Sequence, residues 1–192
     1  MLKSAKKLWL ILLLVIVVGL ACGVGDPQQR EANKLVGEAN ALVDKYNEIV
    51  PKSDKLNEDL NPKMNSLQNS EDFAGDYAAF KKENKSKLDE LTGFYDQLTK
   101  LGSDAVDKFD QASKLKLANK YKEYLNSLTQ QWKKRNEMNK QQAASLESML
   151  EAKDAADFAK LKDSVKKIDD LQKEVDELKA KTDQLSKDVS GK

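Results

Sequence analysis

From about residue 28 onward, apolar side chains recur at intervals of three and four, and this spacing is what most restricts the fold. Ala32, Leu35, Ala39, Leu42, Tyr46 and Ile49 form one such stripe, widened by Val36 and Val43. Only a helix brings residues three and four apart onto one face. Residues able to break helices are scarce, with 8 glycines and 3 prolines in 192 residues. Charged residues make up 34% of the chain and fill the positions between the stripes. A polar chain whose apolar residues are periodic rather than absent reads as long amphipathic helices, not as disorder.

The first helix is expected to start at Pro27, which suits the first helical position. Pro51 is expected to end or kink it, with a shorter continuation through Leu56, Leu60, Met64 and Leu67, interrupted by Pro62. Asn69-Ser70-Glu71-Asp72 supplies capping residues for a second helix, which carries Phe73, Tyr77, Phe80, Leu88, Leu91 and Leu98 and is closed by Gly102. A third is predicted from Asp104 to Glu151, roughly 70 Å if straight at about 1.5 Å per residue. Asp154 and Asp157 have the spacing of a capping box. The fourth helix then shows heptads through Leu161, Val165, Ile168, Val175, Leu178, Thr182, Leu185 and Val189.

Four amphipathic segments must bury their stripes against one another, so the fold class is all-α, a long antiparallel helical bundle with coiled-coil segments. Helices two and four share wording: Asp72-Phe73-Ala74 against Asp157-Phe158-Ala159, and Asp89-Glu90-Leu91 against Asp176-Glu177-Leu178. The arrangement could therefore be two tandem helical hairpins from a duplication, or heptads sharing letters by composition. The domain plan is a leader over 1–21, a tether over 22–27, the bundle over 28–189 and a frayed tail over 190–192.

The leader is a different material. Lys3, Lys6 and Lys7 precede an uninterrupted apolar run from Leu8, and no acid occurs before Asp26. A basic head followed by a core of about 15 apolar residues has the order of a secretory signal and is short for a membrane span of roughly 20. The run ends in Val18-Gly19-Leu20-Ala21-Cys22-Gly23. This resembles the lipobox of bacterial lipoprotein precursors, although Gly19 stands where leucine is usual and Leu20 where a small residue is more common. The resemblance covers the first two dozen residues. It implies a lipid on the Cys22 thiol, cleavage between Ala21 and Cys22, and a protein tethered to a membrane outside the cytoplasm. Gly23 differs from the aspartate that retains such proteins at an inner membrane, so in a host with two membranes the resemblance favours the outer one. Cys22 is the only cysteine, so an intramolecular disulfide is impossible. The competing reading is an uncleaved single-pass signal anchor bearing a helical sensor or adaptor domain.

Histidine is absent and the one cysteine lies at the leader junction. The usual zinc ligands and every Ser-His or Cys-His nucleophile are therefore missing, and no Gly-rich phosphate loop occurs. No enzyme activity, metal or cofactor is expected. The formal charge is +1, and the three leader lysines leave −2 for the remainder, with both signs interspersed. No basic block marks a nucleic-acid footprint, and beyond the leader none marks a lipid-headgroup surface. Partners are expected to be the membrane through the lipid, and a protein or a second copy through helical faces. Trp132, beside Lys133-Lys134-Arg135, is the candidate partner contact, the alternative being a hydrophobe capping the far end of the bundle. Asn84-Lys85-Ser86 matches a glycosylation sequon by spacing alone.

Overall fold

The computed structural model describes residues 26–67 and 70–190. Among them are five helices and no strand: α1 (Pro27–Leu67), α2 (Phe73–Glu83), α3 (Lys85–Ser113), α4 (Asn119–Glu151) and α5 (Ala155–Ser190). The packing is that of an antiparallel helical bundle: α1 lies along α3, α3 along α4, and α4 along α5. Cross-helix pairs fix the directions. Lys108 meets Glu38 and Lys87 meets Asp59, so α1 and α3 run oppositely. Lys133 reaches Asp110, and Lys134 reaches Glu174, giving the same relation for α3 with α4 and α4 with α5. α1 and α4 consequently run parallel, and Tyr46 and Trp132 meet between them.

The ends form where local chemistry asks for them. Asp26 caps α1, its carboxylate accepting from the Gln28 N–H at 2.8 Å, with Pro27 at the first position. Asp72 caps α2 by accepting from the Gly75 N–H. Asp154 accepts from the Asp157 N–H at 2.9 Å, and the Asp157 carboxylate reaches back to the Lys153 N–H at 3.4 Å. The capping-box expectation therefore holds, with the return bond one residue earlier.

The expected boundaries differ in three places. α1 runs unbroken through Pro51 and Pro62, both exposed. Both prolines lie on the solvent-facing side, where a missing ladder bond costs least, while Tyr46, Ile49, Ser53 and Leu60 keep the inner face buried. The second predicted helix breaks at Asn84, whose backbone and side-chain N–H groups both donate to the Phe80 carbonyl. Beyond that break, α3 passes straight through Gly102 and ends at Ser113.

Gly102 is buried not because the chain turns there but because α4 comes close: a Cβ added to it would stand 2.9 Å from Asn136 Oδ1. The turn falls instead at 114–118, so the predicted 48-residue rod from Asp104 to Glu151 is two antiparallel arms, and α4 spans about 50 Å. In α5, Val175, Thr182 and Val189 are buried as the heptads require, but Val165 is 42% exposed and Leu171, outside that pattern, takes a core place. The chain does form two antiparallel hairpins. Phe73 and Phe158, which open the shared wording, meet with ring centroids 5.6 Å apart.

The helical glycines give a direct test. Gly93→Ala has open space and removes backbone freedom from the unfolded chain, so it should stabilise the fold by about 0.5–1 kcal/mol. Gly102→Leu must push Asn136 aside and should cost about 1–3 kcal/mol. Urea unfolding of the two variants checks both signs.

Candidate functional site

Two features qualify as candidates: the polar core around the middle of α4 and the surface of the α4–α5 seam. α4 is the central helix, buried on most of its circumference between Tyr121 and Asn139. Its inner residues include Gln131, Trp132, Arg135, Asn136 and Asn139, five polar or amphipathic side chains where leucine would be ordinary. Trp132 is 0% exposed and packs edge-on against Tyr46 with centroids 5.1 Å apart. It is therefore neither a surface contact for a partner nor a cap at the bundle's far end, and that expectation is corrected. The physical reason is that α4 is enclosed on the Trp132 side: of the charged trio that follows, Lys133 and Lys134 reach the surface, whereas Arg135 is buried with Trp132.

The Tyr46 hydroxyl donates to Asn139 Oδ1 at 2.9 Å, and Asn139 Nδ2 donates to the Leu98 carbonyl at 3.4 Å. Three helices are thereby stitched through one buried amide. Burial pushes the Tyr46 hydroxyl pKa up, against the pull of the nearby Arg135 charge and the Asn139 bond. Arg135 itself is 5% exposed, with its guanidinium carbon 5.5 Å from the Trp132 ring and 5.9 Å from the Tyr46 ring. No acceptor among the described residues reaches its Nε or Nη2, nor the Trp132 Nε1 or the Gln131 amide. The aromatic faces stabilise the cation in place of a carboxylate.

A half-buried carboxylate completes the polar interior. Asp54 titrates at about 6 rather than 3.8, first because of burial and then because of the neighbouring Glu58 charge. Tyr95, hydrogen-bonded to Asn57, is pushed up to about 12, mainly by burial.

On the surface, the α4–α5 seam carries a groove of about 300 Å³ bordered by Lys134, Glu137, Lys166, Asp170 and Glu174. A second groove, of about 590 Å³, continues it past Gln130, Lys133 and Lys181. Lys134 stands at their junction and bridges Glu174 at 2.9 Å and Glu137 at 3.1 Å, which together raise its pKa. Both grooves are lined mainly by charged side chains, among which Lys133, Lys134, Glu137, Asp170 and Glu174 are paired, a surface suited to salt-sensitive protein contact rather than to enclosing a small apolar ligand. Among the described residues no group of three or more acidic, histidine or cysteine side chains is placed to hold a metal.

The remaining sequence candidates fall as follows. Ala21 and Cys22 lie outside the described residues. Asn84 is 3% exposed and its amide is engaged by the Phe80 carbonyl and Lys63, so the sequon is closed to modification in the fold. Sequence reading missed the turn after α3, Lys114-Leu115-Lys116-Leu117-Ala118, which with Lys120 and Lys122 presents four exposed lysines and no acid. The expectation that no basic patch lies beyond the leader is thus corrected: the residues were read as one helix, which would have spread them around its circumference. No protein-family model, curated protein or solved structure matches the chain.

Arg135→Met should raise stability by about 1–3 kcal/mol, because an unpaired buried charge is replaced by an apolar chain of similar length. Chemical denaturation of the variant checks the sign. For Asp54 the folded pKa lies above the unfolded one, so the folded state binds the proton more tightly and stability falls as pH rises from about 4 through 6. Asp54→Asn should therefore match the parent near pH 4 and exceed it by about 1–2 kcal/mol above pH 7. One pKa unit is about 1.4 kcal/mol, and solvent screens part of the effect. Unfolding midpoints across that pH range measure it.

Proposed function

We propose that this is a lipid-anchored, extracytoplasmic protein whose helical bundle serves as a non-catalytic spacer, scaffold or binding module of a cell envelope. The observation that carries this reading is Cys22: the sole cysteine of the chain follows Ala21 at the end of an apolar run headed by three lysines. Lipid on that thiol would consume a group otherwise exposed to an oxidising compartment, and two or more acyl chains would make the anchorage durable. The bundle suits a mechanical or docking role. Its helices are long, its grooves are shallow and charged, and the chain lacks histidine and any second thiol. Among the described residues no helix is long and apolar enough to cross a membrane, so membrane attachment on this reading rests on the N-terminus.

Mass spectrometry of the N-terminus of protein extracted from membranes tests the reading. The expected result is a chain starting at a diacylglyceryl-modified Cys22, with Cys22→Ser accumulating unprocessed and unlipidated. An intact Met1 with a free thiol would replace it with the uncleaved single-pass anchor bearing a helical adaptor domain.

A further inference from the structure

We infer that the end of the bundle formed by the α3–α4 turn docks on an anionic bilayer surface through Lys114, Lys116, Lys120 and Lys122. All four are exposed, they fall within nine residues, and no acid lies between Asp110 and Glu123. Among the described residues Lys114 pairs with Asp110, and the other three meet no carboxylate. The fold sets this turn at the same end as the start of α1. The Lys116 N–H donates to Gln28 Oε1 at 3.4 Å, and the Tyr121 hydroxyl donates to Asn33 Oδ1 at 3.2 Å. The antiparallel register that pairs Ser127 with Thr182 brings the end of α5 alongside as well. At the opposite end, the caps and turns present Glu71, Asp72, Glu151 and Asp154, against Lys153. Asp26, Asp110 and Glu123 flank the lysine turn and Lys81 reaches the Leu150 carbonyl at the far end, so the turn is a local run of one sign set against a mixed but more acidic opposite end.

The partner follows from the tether, and to that extent the inference rests on the proposed membrane anchorage. Four peptide steps from Cys22 to Asp26 span at most about 14 Å. The lysine turn is then held within one or two screening lengths of the bilayer, the screening length being about 8 Å at physiological salt. Lysines at that distance are attracted by anionic headgroups, whereas the more acidic end is repelled, so the bundle is oriented as well as held. Leu115 and Leu117 are half-buried against the core, which leaves the contact to charge. It should therefore dissolve at high salt.

The test is hydrogen exchange read by mass spectrometry on the full chain purified from membranes. The chain is reconstituted into vesicles of phosphatidylcholine alone or mixed with phosphatidylglycerol. Exchange across 114–122 should slow several-fold on the mixed vesicles, recover at high salt, and stay unchanged across 70–76 and 151–157. Replacing the four lysines by glutamine should abolish the difference without altering the helical circular dichroism signal. Equal exchange on both vesicles would overturn the docking, and so would equal slowing by soluble polyphosphate on phosphatidylcholine vesicles, which would assign the lysines to a general polyanion. The N-terminal mass of the same sample separates the two readings. A lipidated Cys22 without slowing overturns the docking alone. Slowing with an uncleaved, unmodified N-terminus overturns the lipid anchor and leaves the docking standing.

Discussion

The contact between Tyr46 and Trp132 is the point about which the bundle is arranged. The two rings meet edge to face deep between α1 and α4, and the Tyr46 hydroxyl reaches on to Asn139. Apolar stripes can slide past one another by a heptad at little cost, because leucine in one hole resembles leucine in the next. A large ring and a single hydrogen-bonded amide cannot. Shifting α1 by one turn would leave the Tyr46 hydroxyl and Asn139 Oδ1 buried without partners, a penalty that apolar packing would not recover. The side chains least like a coiled-coil core therefore fix the register of the helices that most resemble one.

That arrangement separates the two halves of the molecule in kind. α1, α3 and α4 share an interior built from rings, amides and a buried guanidinium, whereas α5 lies along α4 and meets α2 through Phe158. Its buried residues are Phe158, Leu171, Val175, Thr182 and Val189, with none among the twelve residues between the first two. Its seam is reinforced by the Ser127–Thr182 hydroxyl pair and the Lys134–Glu174 bridge, both modest in strength. Local opening should accordingly favour the early part of α5, where few apolar side chains are removed from water. Val165, the one large hydrophobe left exposed among the described residues, lies in that part.

The lysine turn and the more acidic far end give this rod a direction that net charge conceals. Near-neutral composition is compatible with complete mixing of signs or with their separation along an axis. Only the positions of the turns decide between these, since turns gather residues that helices would disperse. If the N-terminus is held at a bilayer, the same polarity would set which helical faces remain available to a partner.

The helical class and the antiparallel packing were legible from spacing alone, because periods of three and four leave no other way to bury the stripes. The caps at Asp72 and Asp154 were legible too, being local hydrogen bonds between residues three apart. The boundaries that failed were those decided by neighbours. Gly102 looked like a terminator, yet its missing side chain serves the approach of Asn136 on α4. Pro51 looked like a break, yet packing of the inner face carries α1 past it. The turn at 114–118 has no glycine or proline to announce it. Trp132 looked exposed because its sequence neighbours are charged, but Lys133 and Lys134 reach outward to the surface while Arg135 is buried over the Trp132 ring. Sequence thus determined what each segment must bury, since periodicity is a property of the segment itself. Which residues were buried, and which lysines were brought together at one end, depended on contacts between segments far apart in the chain, and those exist only in the folded molecule.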